Sequence, residues 1–148
     1  MPEISQAAVE DIPQLVELLT LLFAQEADFV PDAARQERGL RLIVEHPDVG
    51  RIYCARSSGG VVGMVSLLFT VSTAEGGRVA WLEDMVVHSG RRGQGIGERL
   101  LRHAVAEARA LSCSRITLLT DGTNSPAMRF YERAGFSRSQ MVPLRLSL

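Results

Sequence analysis

The chain contains no lysine; all sixteen basic residues are arginine. That excludes every motif built on a lysine, the Walker-type phosphate loop among them. Cysteine is nearly missing too. Cys54 and Cys113 stand alone without metal-type spacing, and a chain of 148 residues does not call for a disulfide scaffold. Both are expected to fill small apolar positions. His46, His88 and His103 are scattered singly, so no metal is expected. No apolar run approaches the roughly 20 residues that span a bilayer. The opening Met1-Pro2-Glu3-Ile4 lacks the basic-then-apolar build of a secretory signal. Neither sign of charge dominates: the net charge is −1, which argues against a nucleic-acid partner or an anionic membrane surface. These absences together lead to an expectation of a soluble cytoplasmic protein.

What is present is a chain 46% hydrophobic with no repeat, low-complexity tract or linker, and it reads as one domain over 1–148. A strand is expected at 4–8. Glu10-Asp11 and Pro13 then open a helix whose buried face is Ile12, Leu15, Val16, Leu19, Leu22 and Phe23. After a polar break, a second helix is expected over 32–45, ending before Pro47. The period then changes. Strands at 51–56, 61–71 and 79–88, joined by glycine turns, make an antiparallel meander. A Gly- and Arg-rich segment leads into a helix with Ile96, Leu100, Leu101, Ala104, Val105, Ala108 and Leu111 on one side. A strand at 115–120, a helix at 125–134 and two closing strands near 136–139 and 141–146 complete a mixed α/β sheet.

The segment Arg91-Arg92-Gly93-Gln94-Gly95-Ile96-Gly97 carries the strongest chemistry. Its glycines allow positive φ and close approach of backbone to a ligand. Amides converging at a helix start, with two arginines beside them, suit a pyrophosphate. The dinucleotide fingerprint does not fit, because Gly93, Gly95 and Gly97 are spaced by two and Glu98 occupies the third glycine position.

Arg92-Gly93-Gln94-Gly95-Ile96-Gly97 resembles the coenzyme A loop, Arg-x-x-Gly-x-Gly, of the GNAT superfamily of N-acetyltransferases. Asn124-Ser125-Pro126-Ala127-Met128-Arg129-Phe130-Tyr131-Glu132-Arg133-Ala134-Gly135-Phe136 is similar to that family's Asn-x-x-Ala-x-x-x-Tyr-x-x-x-Gly-Phe motif. Upstream, Trp81-Leu82-Glu83-Asp84-Met85-Val86-Val87 resembles the strand preceding the loop as it appears in diamine (polyamine) acetyltransferases. The likeness is clear over 81–136 and weak over the first seventy residues. It implies a GNAT fold: a mixed, mostly antiparallel central sheet flanked by about four helices, with strands that splay at the cofactor site. It also implies acetyl-CoA as co-substrate, with pyrophosphate on the backbone of Arg92, Gly93, Gln94, Gly95, Ile96 and Gly97. Pantetheine would run along Met85, Val86 and Val87, Asn124 would face it, and Tyr131 would lie near the thioester sulfur.

Acetyl transfer to an amine needs a base, since an alkylamine has a pKa of about 10.4, and a donor for the oxygen that gains charge. A strand N–H near Met85 or Val86 suits the second task. The leaving thiolate needs an acid, and Tyr131 is the choice. Glu83 is the choice for base: strict alternation puts it on one face with Trp81, Met85 and Val87, with Asp84 on the other. A carboxylate turned into an apolar setting has its pKa raised toward a useful value. Phe23, Glu26, Asp28 and Phe29, around the break between the first two helices, are candidates for the amine pocket, with Glu83 and Asp84. The expected activity is direct acetyl transfer to a primary amine of a small molecule. A protein or peptide acceptor, or a non-catalytic acyl-CoA-binding domain, are the alternatives. Homodimers are common among similar proteins, and the closing strands offer an interface.

Overall fold

The computed structural model describes residues 1–26 and 29–148. Strand β1 (Glu3–Gln6) is followed by a single 3-10 turn and helix α1 (Ile12–Ala24), then α2 (Ala33–Val44). Strands β2 (Gly50–Ser57), β3 (Gly60–Ser72) and β4 (Gly77–Val87) form the meander. Helix α3 (Ile96–Ala110), strand β5 (Ile116–Leu118) and helix α4 (Ser125–Arg133) follow. The strands lie in chain order across one sheet, antiparallel from β1 to β4, with β5 parallel to β4.

Two apolar layers hold the sheet between helices. On one face Tyr53, Val65, Leu67, Ala80 and Leu82 pack against Ile96, Leu100, Leu101, Ala104 and Ala108 of α3. On the other, Ile52, Cys54, Met64 and Val86 meet Ile12, Leu15, Leu18 and Leu19 of α1 and Leu40 of α2. Period two in the strands and period 3.6 in the helices give both layers at once. Both cysteines are free, Cys54 fully buried and Cys113 partly so. Gly50 is required by sheet geometry: a Cβ there would meet the Leu67 carbonyl oxygen at 2.5 Å.

The two closing strands are not formed. Beyond Phe136 the chain runs on without regular structure, and among the described residues its backbone makes no hydrogen bond to another backbone group. A strand exists only through a ladder partner. Ser137-Arg138-Ser139-Gln140 holds no Gly, Asn or Asp to turn the chain back, and Pro143 has no N–H to give. The strand expected at 115–120 is also shorter, because its pairing with β4 stops at Leu82↔Leu118.

One ion pair joins the start of α1 to the sheet edge. Arg56 donates to both carboxylate oxygens of Asp11, at 2.5 and 2.7 Å, and through Nε to Ser5 Oγ at 2.6 Å. Asp11 also accepts from the Ala8 amide at 2.7 Å. The Arg56 guanidinium, with help from the Ala8 amide, outweighs burial and holds the Asp11 carboxyl below its ordinary pKa. A depressed carboxyl contributes stability that is complete above its unfolded pKa and disappears as pH falls through the folded value. Asp11→Asn is therefore expected to cost about 2–3 kcal/mol near neutral pH, since it leaves a guanidinium without its counter-charge. The difference between the two proteins, read from urea unfolding, should shrink steadily below about pH 4.

Candidate active site

β4 contains one residue more than β3 opposite it. Met64 pairs with Val86, but two residues along β3 Ser66 pairs with Glu83, so Val65 stands across from both Asp84 and Met85. This is a β-bulge, and Asp84 carries its strain with φ 54°. Aspartate is among the few residues that accept the left-handed region, where β-branched neighbours would not.

The bulge resets the alternation. Ala80 and Leu82 face α3, as do Met85 and Val87, while Val86 faces α1. Glu83 therefore does not share a face with Met85 and Val87, as strict alternation requires. It is exposed, and Asp84 is the partly buried member of the pair. Burial first, then the charges of Glu83 and Glu26, push the Asp84 carboxyl up to about 7. Three acids from β4 and from the end of α1 thus act on one another. Alternation selects Glu83 as the inward acid, but the inserted residue turns Asp84 inward instead, and burial raises the Asp84 carboxyl toward neutrality.

The same insertion sets the backbone. The Ala80 N–H donates to the Arg115 carbonyl, so Ala80 and Leu82 present their backbone groups toward β5. Past the bulge the parity changes. His88 N–H goes to Val62 in β3. Val87 carbonyl faces the other way and accepts from Arg92 Nε at 3.0 Å. Met85 shares the parity of Val87, so both turn toward the gap left where β5 stops pairing. The strands splay there, and a cleft opens with unpaired strand backbone along one wall.

At the end of that wall lies the glycine-rich loop. Gly93 and Gly95 have φ 77° and 80°, and a Cβ at either would meet nothing within 4 Å. Their glycine is required by backbone conformation, not by space. Gly95 is the N-cap of α3 and brings no side chain, so the first amides of that helix lack an internal cap. The loop is braced from within: Arg91 donates to Gln94 Oε1 at 3.2 Å and to Ser57 Oγ at 3.3 Å. Uncapped amides at a helix start fit an anion such as a pyrophosphate. A depression of about 770 Å³ adjoins the loop, lined by Gln14, Glu17, Ser57, Val61, His88 and Arg91 among others. It lies toward the first half of α1, and its lining includes none of Glu26, Glu83 and Asp84.

The second motif is first of all a helix with both ends specified. Asn124 Oδ1 caps α4 by accepting from Ala127 N at 3.2 Å. At the other end Gly135 has φ 103°, its N–H reaches Glu132 O, and Phe136 N–H reaches Tyr131 O. That is a Schellman ending, and the Tyr131–Phe136 ring contact at 5.7 Å is its hydrophobic clasp. The capping task uses the oxygen of Asn124, so its expected place at the cofactor arm would fall to its NH₂. Tyr131 also meets Phe130 edge-on at 5.1 Å, and burial pushes its hydroxyl up to about 12. It stays protonated across the physiological range, as an acid must.

Phe23 and Phe29 stack at 5.3 Å, tilted by 36°, beside Glu26 at the end of α1. Asp28 lies outside the described residues. Ser66 could not be singled out from sequence. It is fully buried opposite Glu83, and its Oγ has no hydrogen-bond partner among the described residues. A serine inside the apolar run from Val61 to Phe69 is the one signal the sequence carries. No group of three or more His, Cys, Asp or Glu among the described residues is placed to hold a metal ion. Among the described residues no helix is long and apolar enough to cross a membrane.

A splayed β4–β5 pair, a bulge beside it and an uncapped glycine-rich helix start make up the candidate site, and the class of protein that carries it is an acyltransferase. The model of the acetyltransferase (GNAT) family matches residues 12–136, and the chain belongs to that family. It is 31% identical over 137 residues to aminoalkylphosphonate N-acetyltransferase of Salmonella typhimurium, covering 93% of this chain and 86% of that protein. To glucosamine 6-phosphate N-acetyltransferase of Trypanosoma brucei brucei it is 32% identical over 101 residues, 68% of this chain and 66% of that one. Among solved structures, an integron cassette protein from the Cole Harbour Salt Marsh metagenome superposes with a TM-score of 0.85 at 27% identity, covering 98% and 90% of the two chains.

Holding a carboxyl with a raised pKa costs stability once it ionises. Asp84 binds a proton in the folded state at pH values where the unfolded chain has lost it, so stability falls as pH rises from about 4 through about 7. Asp84→Asn keeps the tolerance for positive φ and removes the charge. Thermal unfolding at pH 8 should show the variant more stable by about 1–2 kcal/mol, less than the full shift implies because the group is not wholly buried. At pH 4 the two proteins should melt together.

Proposed function

We propose that this protein transfers an acetyl group from acetyl-CoA to the primary amine of a small molecule, with Asp84 as the base. The observation that carries the reading is the bulge at Asp84, which puts a near-neutral carboxyl, two further acids and freed strand backbone at the mouth of the splayed cleft. Acetyl-CoA supplies the activated acyl group as a thioester. The α3 amides from Ile96 onward, with Gly93, Gln94, Gly95 and Gly97 of the loop, hold its pyrophosphate. The Met85 backbone and the Val87 N–H offer pairing to its pantetheine arm, and the Met85 N–H would donate to the carbonyl oxygen.

Glu83 and Glu26 attract the protonated amine by charge, and the Phe23–Phe29 pair gives it an apolar wall. Asp84, ionised above about 7, takes the amine proton, directly or through a water, and so supplies the neutral nucleophile. Tyr131 keeps its proton until the thiolate leaves and then delivers it. Two relatives whose names specify small amines, an aminoalkylphosphonate and glucosamine 6-phosphate, support a small acceptor. Both of those amines carry an anionic phosphorus group.

Free-thiol release from acetyl-CoA over a panel of amines tests the reading. The panel should include aminoalkylphosphonates, amino sugar phosphates, polyamines, amino acids and short peptides. One small-amine class should respond, with kcat/KM rising up to about pH 7 and then levelling. Asp84→Asn should lose that rising limb and about 10²–10⁴-fold in kcat, Tyr131→Phe about 100-fold, and Glu83→Gln should act mainly on KM. Full turnover by Asp84→Asn would move the base elsewhere, and response to peptides alone would replace the small acceptor by a protein.

A further inference from the structure

The depression of about 770 Å³ beside the glycine-rich loop adjoins a smaller chamber of about 220 Å³ along α1. Gln14, Glu17, Val61 and His88 line both, so the two meet there. Ser57, Ser58 and Arg91 line only the larger part, and Leu18 and Leu21 only the smaller. The groove therefore has an order. Two hydroxyls and a guanidinium come first, then a carboxylate beside an amide and an imidazole, then an apolar end.

Internal hydrogen bonds fix what these polar groups can offer. Gln14 Oε1 accepts from the Val61 N–H at 2.5 Å, which leaves its NH₂ as a donor. That seat exists because residue 60 is glycine: a Cβ there would meet Gln14 Oε1 at 2.6 Å. His88 Nδ1 accepts from the Gly90 N–H at 3.2 Å, so the neutral ring carries its proton on Nε2. Arg91 uses Nε on Gln94 and Nη1 on Ser57 Oγ, and Nη2 is left over. Among the described residues Arg91 has no carboxylate partner and Glu17 has no cationic one.

We propose that this groove is a binding site for a free aliphatic α-amino acid, separate from the acetyl-transfer centre. The carboxylate takes Arg91 Nη2 and the serine hydroxyls, a charge-assisted contact. The ammonium takes Glu17, and the side chain enters the chamber between Val61, Leu18 and Leu21. An α-amino acid carries an anion, a cation and an apolar group in that order around one carbon. A phosphate ester would set its charge against Glu17, and a simple amine would leave Arg91 without a counter-charge. Arg91 also holds Gln94, so a ligand that fixes Arg91 fixes the glycine-rich loop. On the reading that this loop holds acetyl-CoA, the amino acid tightens acetyl-CoA, and acetyl-CoA tightens the amino acid by the same factor.

Calorimetric titration of the full chain with L-leucine should show a single saturable site. Leucinamide lacks the carboxylate and 4-methylpentanoate lacks the ammonium, and each should bind about tenfold more weakly or worse. Glu17→Gln should weaken leucine about tenfold and leave acetyl-CoA binding, measured without leucine, unchanged. If that variant does not fold, the ligand series on unaltered protein decides alone. Saturating leucine should lower the acetyl-CoA Kd about threefold to tenfold. Leucine and leucinamide binding equally, or no saturable aliphatic amino acid up to about 10 mM, would overturn the site. Displacement of leucine by acetyl-CoA, or its conversion to N-acetylleucine, would overturn the separation from the acetyl-transfer centre. An unchanged acetyl-CoA Kd would overturn the link to the loop. Leucine binding is read without turnover, so a protein that binds leucine and no acetyl-CoA would sink the catalytic reading and uphold this site.

Discussion

Strand β4 has a paired strand on each side only from Ala80 to Leu82, and the site depends on how that doubly flanked stretch ends. Up to Leu82 it pairs with both β3 and β5; past Leu82 it keeps β3 and loses β5. At the same place an extra residue enters the strand. The coincidence has a physical basis. A strand flanked on both sides cannot take in an extra residue without breaking two ladders, whereas a strand with one free edge disturbs one. Splay and bulge therefore belong together. The first opens a cleft, and the second turns Asp84 inward and aims the backbone of Met85 and Val87 into the gap.

The two glycine-containing motifs earn their form partly from ordinary helix chemistry. Gly95 starts α3 without a capping side chain, which leaves amides for a ligand. Asn124 and Gly135-Phe136 cap α4 at its two ends, so most of that motif would be understood if the protein bound nothing. Tyr131 is the residue the capping argument leaves over. Its ring serves the Schellman clasp, but the hydroxyl has no part in it, and a phenylalanine would cap as well. Its hydroxyl is where the functional reading of that motif concentrates.

Elements with strong periodicity were legible in the sequence. The α3 face from Ile96 to Ala108 and the antiparallel meander appear where the pattern puts them, and the turn glycines mark the strand ends. The loop was legible because positive φ demands glycine. The bulge was not. A slip of one residue leaves no trace in composition, and Trp81-Leu82-Glu83-Asp84-Met85-Val86-Val87 reads equally well as an unbroken strand. Only an aspartate where an apolar strand wants none hints at it. Assigning the inward carboxylate by alternation therefore selected Glu83, one residue early. Ser66 was hidden for the related reason that burial and partnering are properties of the whole sheet. The closing strands failed on a different count. Their alternation is real, but pattern says that a segment can form a strand and does not name the chain that pairs with it.

That last distinction bears on the architecture as a whole. A sheet that opens between β4 and β5 cannot use β5 as a deep central strand, because the pairing that would bury it is what the cleft removes. β5 is left three residues long, held to the body by Ala80, Trp81 and Leu82 on one side and open on the other. Such an edge must be charged, kept short or covered. Length is the device used here, because only Ile116, Thr117 and Leu118 stand at that edge. The cleft and the short outer edge are then two results of one departure, the loss of β5 after Leu82.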